Sequence, residues 1–163
     1  MLFRETQAFR QWWAVAAIGI SALIGWWAFL SQIVLSRPFG DDPASDVTIW
    51  VVFLLQGLLV PAVWWWLRLE TVVTTDALSV RFRPFPARVV DTGDIVDADT
   101  MGYRAIRDYG GYGYRRILSG DTAFIVSGDR AVKIDTGDDR DLVVGSQRPV
   151  ELLAAIEQAR GTA

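Results

Sequence analysis

Two long stretches of this chain carry no charge: Trp12 to Leu35, and Val47 to Leu67. A helix rises about 1.5 Å per residue, so about 20 apolar residues cross the hydrocarbon core of a bilayer. Both runs are long enough. What remains of a 163-residue chain is too small to bury two such helices inside a soluble core. The pair reads as a membrane hairpin, with spans at about 12–35 and 47–67 and a loop at 36–46. A cleaved signal peptide fits less well, because the first run exceeds an h-region and a second span follows it.

The flanks orient the hairpin. Arg4 and Arg10 precede the first run and Arg68 follows the second, whereas the loop sets Arg37 against Asp41, Asp42 and Asp46. Positive residues stay in the cytoplasm. The expectation is a multi-pass protein of the cell membrane, N- and C-termini cytoplasmic and loop 36–46 outside. Trp12 and Trp13 open the first span, and Trp64, Trp65 and Trp66 close the second. An antiparallel hairpin brings them to one interface, where rings with a polar edge are enriched. Ala14, Ala17, Ser21, Gly25 and Ala28 recur three or four residues apart and predict a close-packing face, with Gly57 and Pro61 opposite. Gln56, near the middle of the second span, needs a hydrogen-bond partner across the hairpin or between protomers.

Composition removes whole classes of chemistry. The chain has no Cys and no His, so thiol catalysis, thiolate metal sites and the ordinary neutral-pH acid/base are absent. A net charge of −3 argues against nucleic acid, which calls for a basic footprint. Gly110-Gly111-Tyr112-Gly113 lacks the third Gly of a nucleotide loop. Asp135 to Asp141 lacks the Gly and the Glu that complete a calcium loop. The expectation is a protein that is not an enzyme and takes no cofactor and no metal.

After Arg68 the hydrophobic period becomes that of strands. Leu69 to Thr75 and Leu78 to Arg83 read as a hairpin around Asp76-Ala77. Arg88 to Val90, Ile95 to Asp99, Tyr114 to Leu118, Thr122 to Val126, Ala131 to Asp135 and Leu142 to Val144 are further short strands, with Gly102 to Gly113 a loop. Ser119-Gly120-Asp121, Ser127 to Arg130 and Gly137-Asp138-Asp139 are the turns. Pro149 suits a first helical position, and Leu152, Leu153, Ile156 and Ala159 form one apolar face before Gly161. The division is a membrane hairpin at 1–68 and a soluble domain at 69–163. The latter has about seven strands in a bent sheet or barrel, capped by a C-terminal helix.

The segments FRETQAFRQWW (3–13), RPFG (37–40), LRLET (67–71), RFRPF (81–85), YGGYGYRR (109–116), VSGDRAVKID (126–135) and VGSQRPVELLAAI (144–156) run in order through nearly the whole chain. Together they resemble an uncharacterised group of bacterial and archaeal proteins that join two transmembrane helices to a PH-like (pleckstrin-homology-like) domain. Tyr112 stands where that group often carries Trp. The resemblance implies a membrane α-helical hairpin followed by a mainly-β, PH-like bent barrel with a C-terminal helix. It brings no catalytic residues.

The densest local signal is Gly102 to Arg116. It holds all four Tyr, and Arg104, Arg107, Arg115 and Arg116 against a single acid, Asp108. A basic aromatic loop beside a membrane suits anionic lipid headgroups or a protein partner. A structural role suits it too, with Arg paired to Asp and Tyr covering the barrel. The candidate binding residues are Arg104, Arg107, Tyr109, Tyr112, Tyr114, Arg115 and Arg116, with Arg148 added at the start of the last helix, where backbone N–H groups attract anions. Capping by Ser146 or Gln147 is the plainer account there. The functional expectation is a membrane-anchored PH-like domain that recruits or senses a protein or an anionic lipid at the cytoplasmic face. The alternative is a small structural subunit of a larger membrane assembly, or a homo-oligomer, packed through Ala17, Ser21, Gly25, Gln56 and Gly57.

Overall fold

The structure, a computed structural model, describes the chain apart from residues 10, 39, 41, 117–120, 138–140 and 162–163 and the Arg116 side chain. The chain forms two compact units, one of Arg10–Trp66 and one that joins Met1–Phe9 to Leu67–Ala163. The expected division at residue 68 is therefore corrected at the N-terminus. The first residues form a strand of the soluble unit, β1 (Phe3–Ala8), antiparallel to β2 (Arg68–Val73), with Phe3 opposite Val73 and Ala8 opposite Arg68. The hairpin is thus an insertion between two neighbouring strands. The inward positions of β1 are Phe3, Glu5 and Gln7, two of them polar, so the alternation that reveals a strand is missing. Arg4, read as a membrane flank, is an exposed residue of this strand.

The apolar unit is two antiparallel helices, α1 (Trp12–Val34) and α2 (Asp46–Trp66), each long and apolar enough to cross a membrane. Only 17% of the most apolar stretch of each helix is buried, unlike a helix in a soluble core. Leu30–Val34 and Phe53–Leu59 are wound wide, as π-helix. Ala14, Gly25 and Ala28 of α1 are buried in the seam, as are Ile49, Phe53 and Gly57 of α2. A Cβ on Gly25 would sit 3.6 Å from the Gly57 backbone nitrogen, so the two backbones approach closely. Ser21 is half-buried at the seam's edge, whereas Ala17 is exposed and outside it. The seam steps through 14, 18, 21, 25 and 28, and half-buried Ile18 takes the place expected of Ala17. Phe29 stacks on Phe53 at 4.1 Å, and the Trp26 indole N–H donates to the Gly57 carbonyl at 3.2 Å. At the loop end, the Gln32 amide donates to Ala44 O (2.7 Å) and Asp46 Oδ1 (2.8 Å), and Ser45 accepts the Thr48 N–H to cap α2.

The first sheet runs β1-β2-β3-β4, all antiparallel, with β3 at Ala77–Arg83 and β4 at Ala87–Asp91. A 3₁₀ turn at Thr92–Asp94 leads to the second sheet. Its strands are β5 (Asp97–Gly102), β6 (Gly113–Arg116), β7 (Thr122–Ile125), β8 (Arg130–Asp135) and β9 (Leu142–Gly145), in the order β5-β8-β9-β7-β6. β7 and β8, successive in sequence, do not pair; β9 lies between them, parallel to β7 and antiparallel to β8. Leu142 and Val144 bury on one face of β9 and Val143 on the other, and such an unbroken apolar run suits a central strand. Among the described residues the strands number nine, in two sheets, and neither sheet closes on itself. The end of the expected strand at Leu118 and the turn residues Ser119, Gly120, Asp138 and Asp139 lie outside the described residues.

One core joins both sheets to the last helix. Leu69, Leu78 and Val80 meet Val132, Ile134 and Leu142, and Leu152, Ala155, Ile156 and Ala159 close over them. Burying a Leu or Ile side chain contributes about 1.5–3 kcal/mol, so one apolar face is enough to hold this helix. Pro149 sits in its first turn, as expected.

Candidate functional site

The Tyr/Arg segment, expected as a loop, contains a short helix, α3 (Ala105–Tyr109), which ends at Gly110 in the left-handed conformation at φ 68°. It covers the face of the second sheet that points away from the main core. Tyr103 and Ala105 bury there with Ala123, Ile125, Ala131 and Val143, and Tyr109 and Tyr112 pack against them. The Tyr103 hydroxyl donates to Ser127 O at 3.2 Å, and its ring meets Tyr109 edge-on at 5.8 Å. Burial pushes the Tyr103 pKa up to about 12, with Tyr112, Asp129 and Tyr109 adding to it; burial raises that of Tyr109 as well. These three rings therefore cover the sheet. Tyr114 lies exposed on β6, its ring 5.1 Å from that of Phe124.

The same segment turns a different set outward. Arg104, Ile106, Arg107 and Asp108 are exposed, Ile106 at 74%. Gly102, Tyr103, Arg104, Arg107, Asp108 and Asp129 line a shallow open depression. Asp108 accepts the Arg104 backbone N–H at 2.8 Å. Among the described residues, the ion pairs are Arg83–Glu70, Lys133–Asp141 and Arg148–Glu151, so Arg104 and Arg107 join none. Arg115 is exposed on β6; Arg116 belongs to the same strand.

Arg148 sits elsewhere, in the connection between β9 and α4 (Pro149–Arg160). It pairs with Glu151 at 3.1 Å, donates to Arg4 O at 2.9 Å and lies 4.9 Å from the centre of the Phe3 ring. The place beside the helix start where an anion was expected is filled by the chain's own Glu5. Glu5 accepts the Gln147 N–H at 2.9 Å and the Ser146 hydroxyl at 2.5 Å. Gln7 donates to Gly145 O at 2.7 Å and accepts from the Ser127 hydroxyl at 3.1 Å. Glu5 and Gln7 are buried yet bonded on both sides, as buried polar groups must be. They were missed because their partners lie at the far end of the chain. The one available signal was Phe3, Glu5 and Gln7 at a spacing of two, ahead of a span.

Among the described residues, no group of three or more His, Cys, Asp or Glu is placed to hold a metal ion. Asp135 accepts the Gly137 N–H at 2.7 Å. Asp141 pairs with Lys133 at 2.6 Å, and the bond raises the Lys133 pKa. No protein-family model matches the chain, and neither a curated protein nor a solved structure matches it.

Proposed function

We propose that this protein is a membrane-anchored docking module. α1 and α2 cross the bilayer, and the strand unit, PH-like in kind, holds a protein partner at the cytoplasmic surface. The supporting observation is the outward face of α3. Tyr103, Tyr109 and Tyr112 are taken up in covering the sheet, which leaves exposed Ile106 between Arg104 and Arg107 beside the acids Asp108 and Asp129. An apolar centre within a rim of both charges is the make-up of a protein interface. Anchoring raises the effective concentration of the two partners, so a small contact suffices.

Sidedness rests on the chain path and its charges. Ala8 and Arg68 face each other at one end of the β1–β2 ladder, so a spanning hairpin inserted there returns to the side it left. Arg10 and Arg68, next to the two spans in sequence, against an acidic loop, favour the cytoplasm. The PH-like assignment rests on the sequence resemblance and on the order of strands followed by one closing helix. With neither Cys nor His in the chain, the reading is non-enzymatic. A second reading is favoured by Arg104 and Arg107 lacking carboxylate partners: anionic lipid headgroups would supply them.

A photocrosslinker on Ile106→Cys, the sole thiol of this variant, tests both in native membranes. The proposal expects a protein adduct that disappears when Arg104 and Arg107 are changed to Ser. Adducts to lipid alone move the site to the second reading. An adduct pattern indifferent to the two Arg contradicts both.

A further inference from the structure

We propose that the protein is a two-fold dimer in the membrane, with Gln56 of one copy paired to Gln56 of a second copy. The inference rests on the hairpin crossing the bilayer. Gln56 lies in the wide-wound middle of α2 with its side chain exposed, among the exposed apolar residues Leu54, Leu55, Leu58 and Leu59. Its Cβ flanks the seam with α1, 3.9 Å from where a Cβ on Gly25 would sit, but its side chain is exposed rather than buried there. Phe53 and Gly57 face that seam, and the Gly57 carbonyl is already served by the Trp26 indole. Among the described residues Gln56 has no hydrogen-bond partner.

A side-chain amide brings two N–H donors and a carbonyl acceptor, and hydrocarbon offers no water to meet them. Gln56 lies midway between Asp46 and Trp66. About 15 Å of helix separates it from either end, too far for a Gln side chain to reach the interface. Its partner must therefore come from a protein at the same depth. A second copy with the same orientation provides one by construction. A primary amide is also self-complementary: each carbonyl accepts from the other N–H, and both bonds close in one symmetric contact. Val60 and Val63, exposed one and two turns further along the same face, present short branched side chains that let the helices approach.

The test uses the full chain in its own membrane. It carries a single Cys at Val60, on the Gln56 face, or at Leu54, on the opposite face. Oxidation is expected to give a disulfide-linked dimer from Val60→Cys and none from Leu54→Cys. Gln56→Leu should reduce the dimer about tenfold, and Gln56→Asn should retain part of it. Labelling of an Ala44→Cys loop thiol, unchanged by Gln56→Leu, confirms that this variant still inserts. Equal cross-linking from both positions, a Gln56→Leu chain that cross-links like the parent, or a product of another size overturns the proposal. A Val60→Cys thiol shielded from a water-soluble maleimide yet never cross-linked overturns the dimer alone. A Val60→Cys thiol that reacts freely with that maleimide removes the membrane-spanning reading beneath it.

Discussion

The two units of this chain bury opposite chemistry. In the strand unit Leu69, Leu78, Ile134, Leu142, Leu152 and Ile156 are inside, and the described charged side chains, Glu5 excepted, lie toward the surface. In the hairpin the inside is largely Ala14, Gly25, Ala28 and Gly57, while Leu23, Trp27, Leu59 and Trp65 are outside. Water explains the first arrangement, since removing apolar area from it contributes about 25 cal/mol per Å². It does not explain the second if, as proposed, the hairpin lies in lipid, which is as apolar as Leu. There, close backbone approach, stacked rings and the occasional hydrogen bond hold the helices. A Leu thus has opposite value in the two units. They are joined at one place, the Ala8–Arg68 end of a strand ladder.

The largest expected effect concerns that join. Residues 69–163 alone lack β1, and with it Phe3, Glu5 and Gln7. This fragment is expected to show no cooperative melt by circular dichroism. Residues 1–9 joined to 67–161 by Asn-Gly, a favoured two-residue hairpin turn, are expected to melt cooperatively in water. A cooperative melt of the shorter piece would break the account of β1.

Leu152→Ala should cost the spliced strand unit about 2–5 kcal/mol in urea unfolding. Leu23→Ala, at a position 70% exposed on α1, should change the thermal stability of the full chain in detergent by less than about 0.5 kcal/mol. Similar losses at the two sites would erase the contrast between the units.

Glu5→Ala removes the acceptor for the Ser146 hydroxyl and the Gln147 N–H. A loss of about 2–3 kcal/mol is expected, read from the same urea curves, with Glu5→Gln milder. Next comes Tyr103, whose pKa rises from 10.0 to about 12 in the fold. The unfolded chain releases this proton first, so its stabilisation is complete below about pH 10 and is lost as pH rises toward 12. Tyr103→Phe should cost about 1 kcal/mol at neutral pH and flatten the alkaline fall of the melting temperature. An equally steep fall in the variant would assign that loss to another group. Among the hydrogen-bonded side chains, the smallest effect belongs to the hairpin. Trp26→Phe removes the bond to Gly57 O and should weaken the helix pair by about 0.6–1 kcal/mol.

Features set by local pattern were legible before the fold was known. Uncharged runs marked α1 and α2, alternation after Arg68 marked most of the strands, and Pro149 marked the last helix. Features set by distant contacts were not. Glu5 looks like a solvated acid until Gln147, 142 residues later, donates to it. Leu142 to Val144 reads as a strand, but its place between β7 and β8 depends on non-local pairing. Arg148 suggested an anion site because its sequence neighbours do not reveal that Glu5 occupies that position. Of the binding candidates, the aromatic ones are mostly sheet cover. Arg104 and Arg107 remain with Ile106, a residue the sequence did not single out because it reads there as one apolar residue within a Gly- and Arg-rich loop.

The central claim is that the chain leaves the strand unit at Phe9, crosses the bilayer, returns and re-enters at Leu67. Single thiols at Ala44, in the loop, and Thr75, in the exposed β2–β3 turn, test it directly. A membrane-impermeant maleimide is applied to intact cells and then to opened ones. The account predicts that Ala44→Cys reacts in intact cells and that Thr75→Cys reacts only after opening. Labelling of both positions from the same side of the membrane would contradict it.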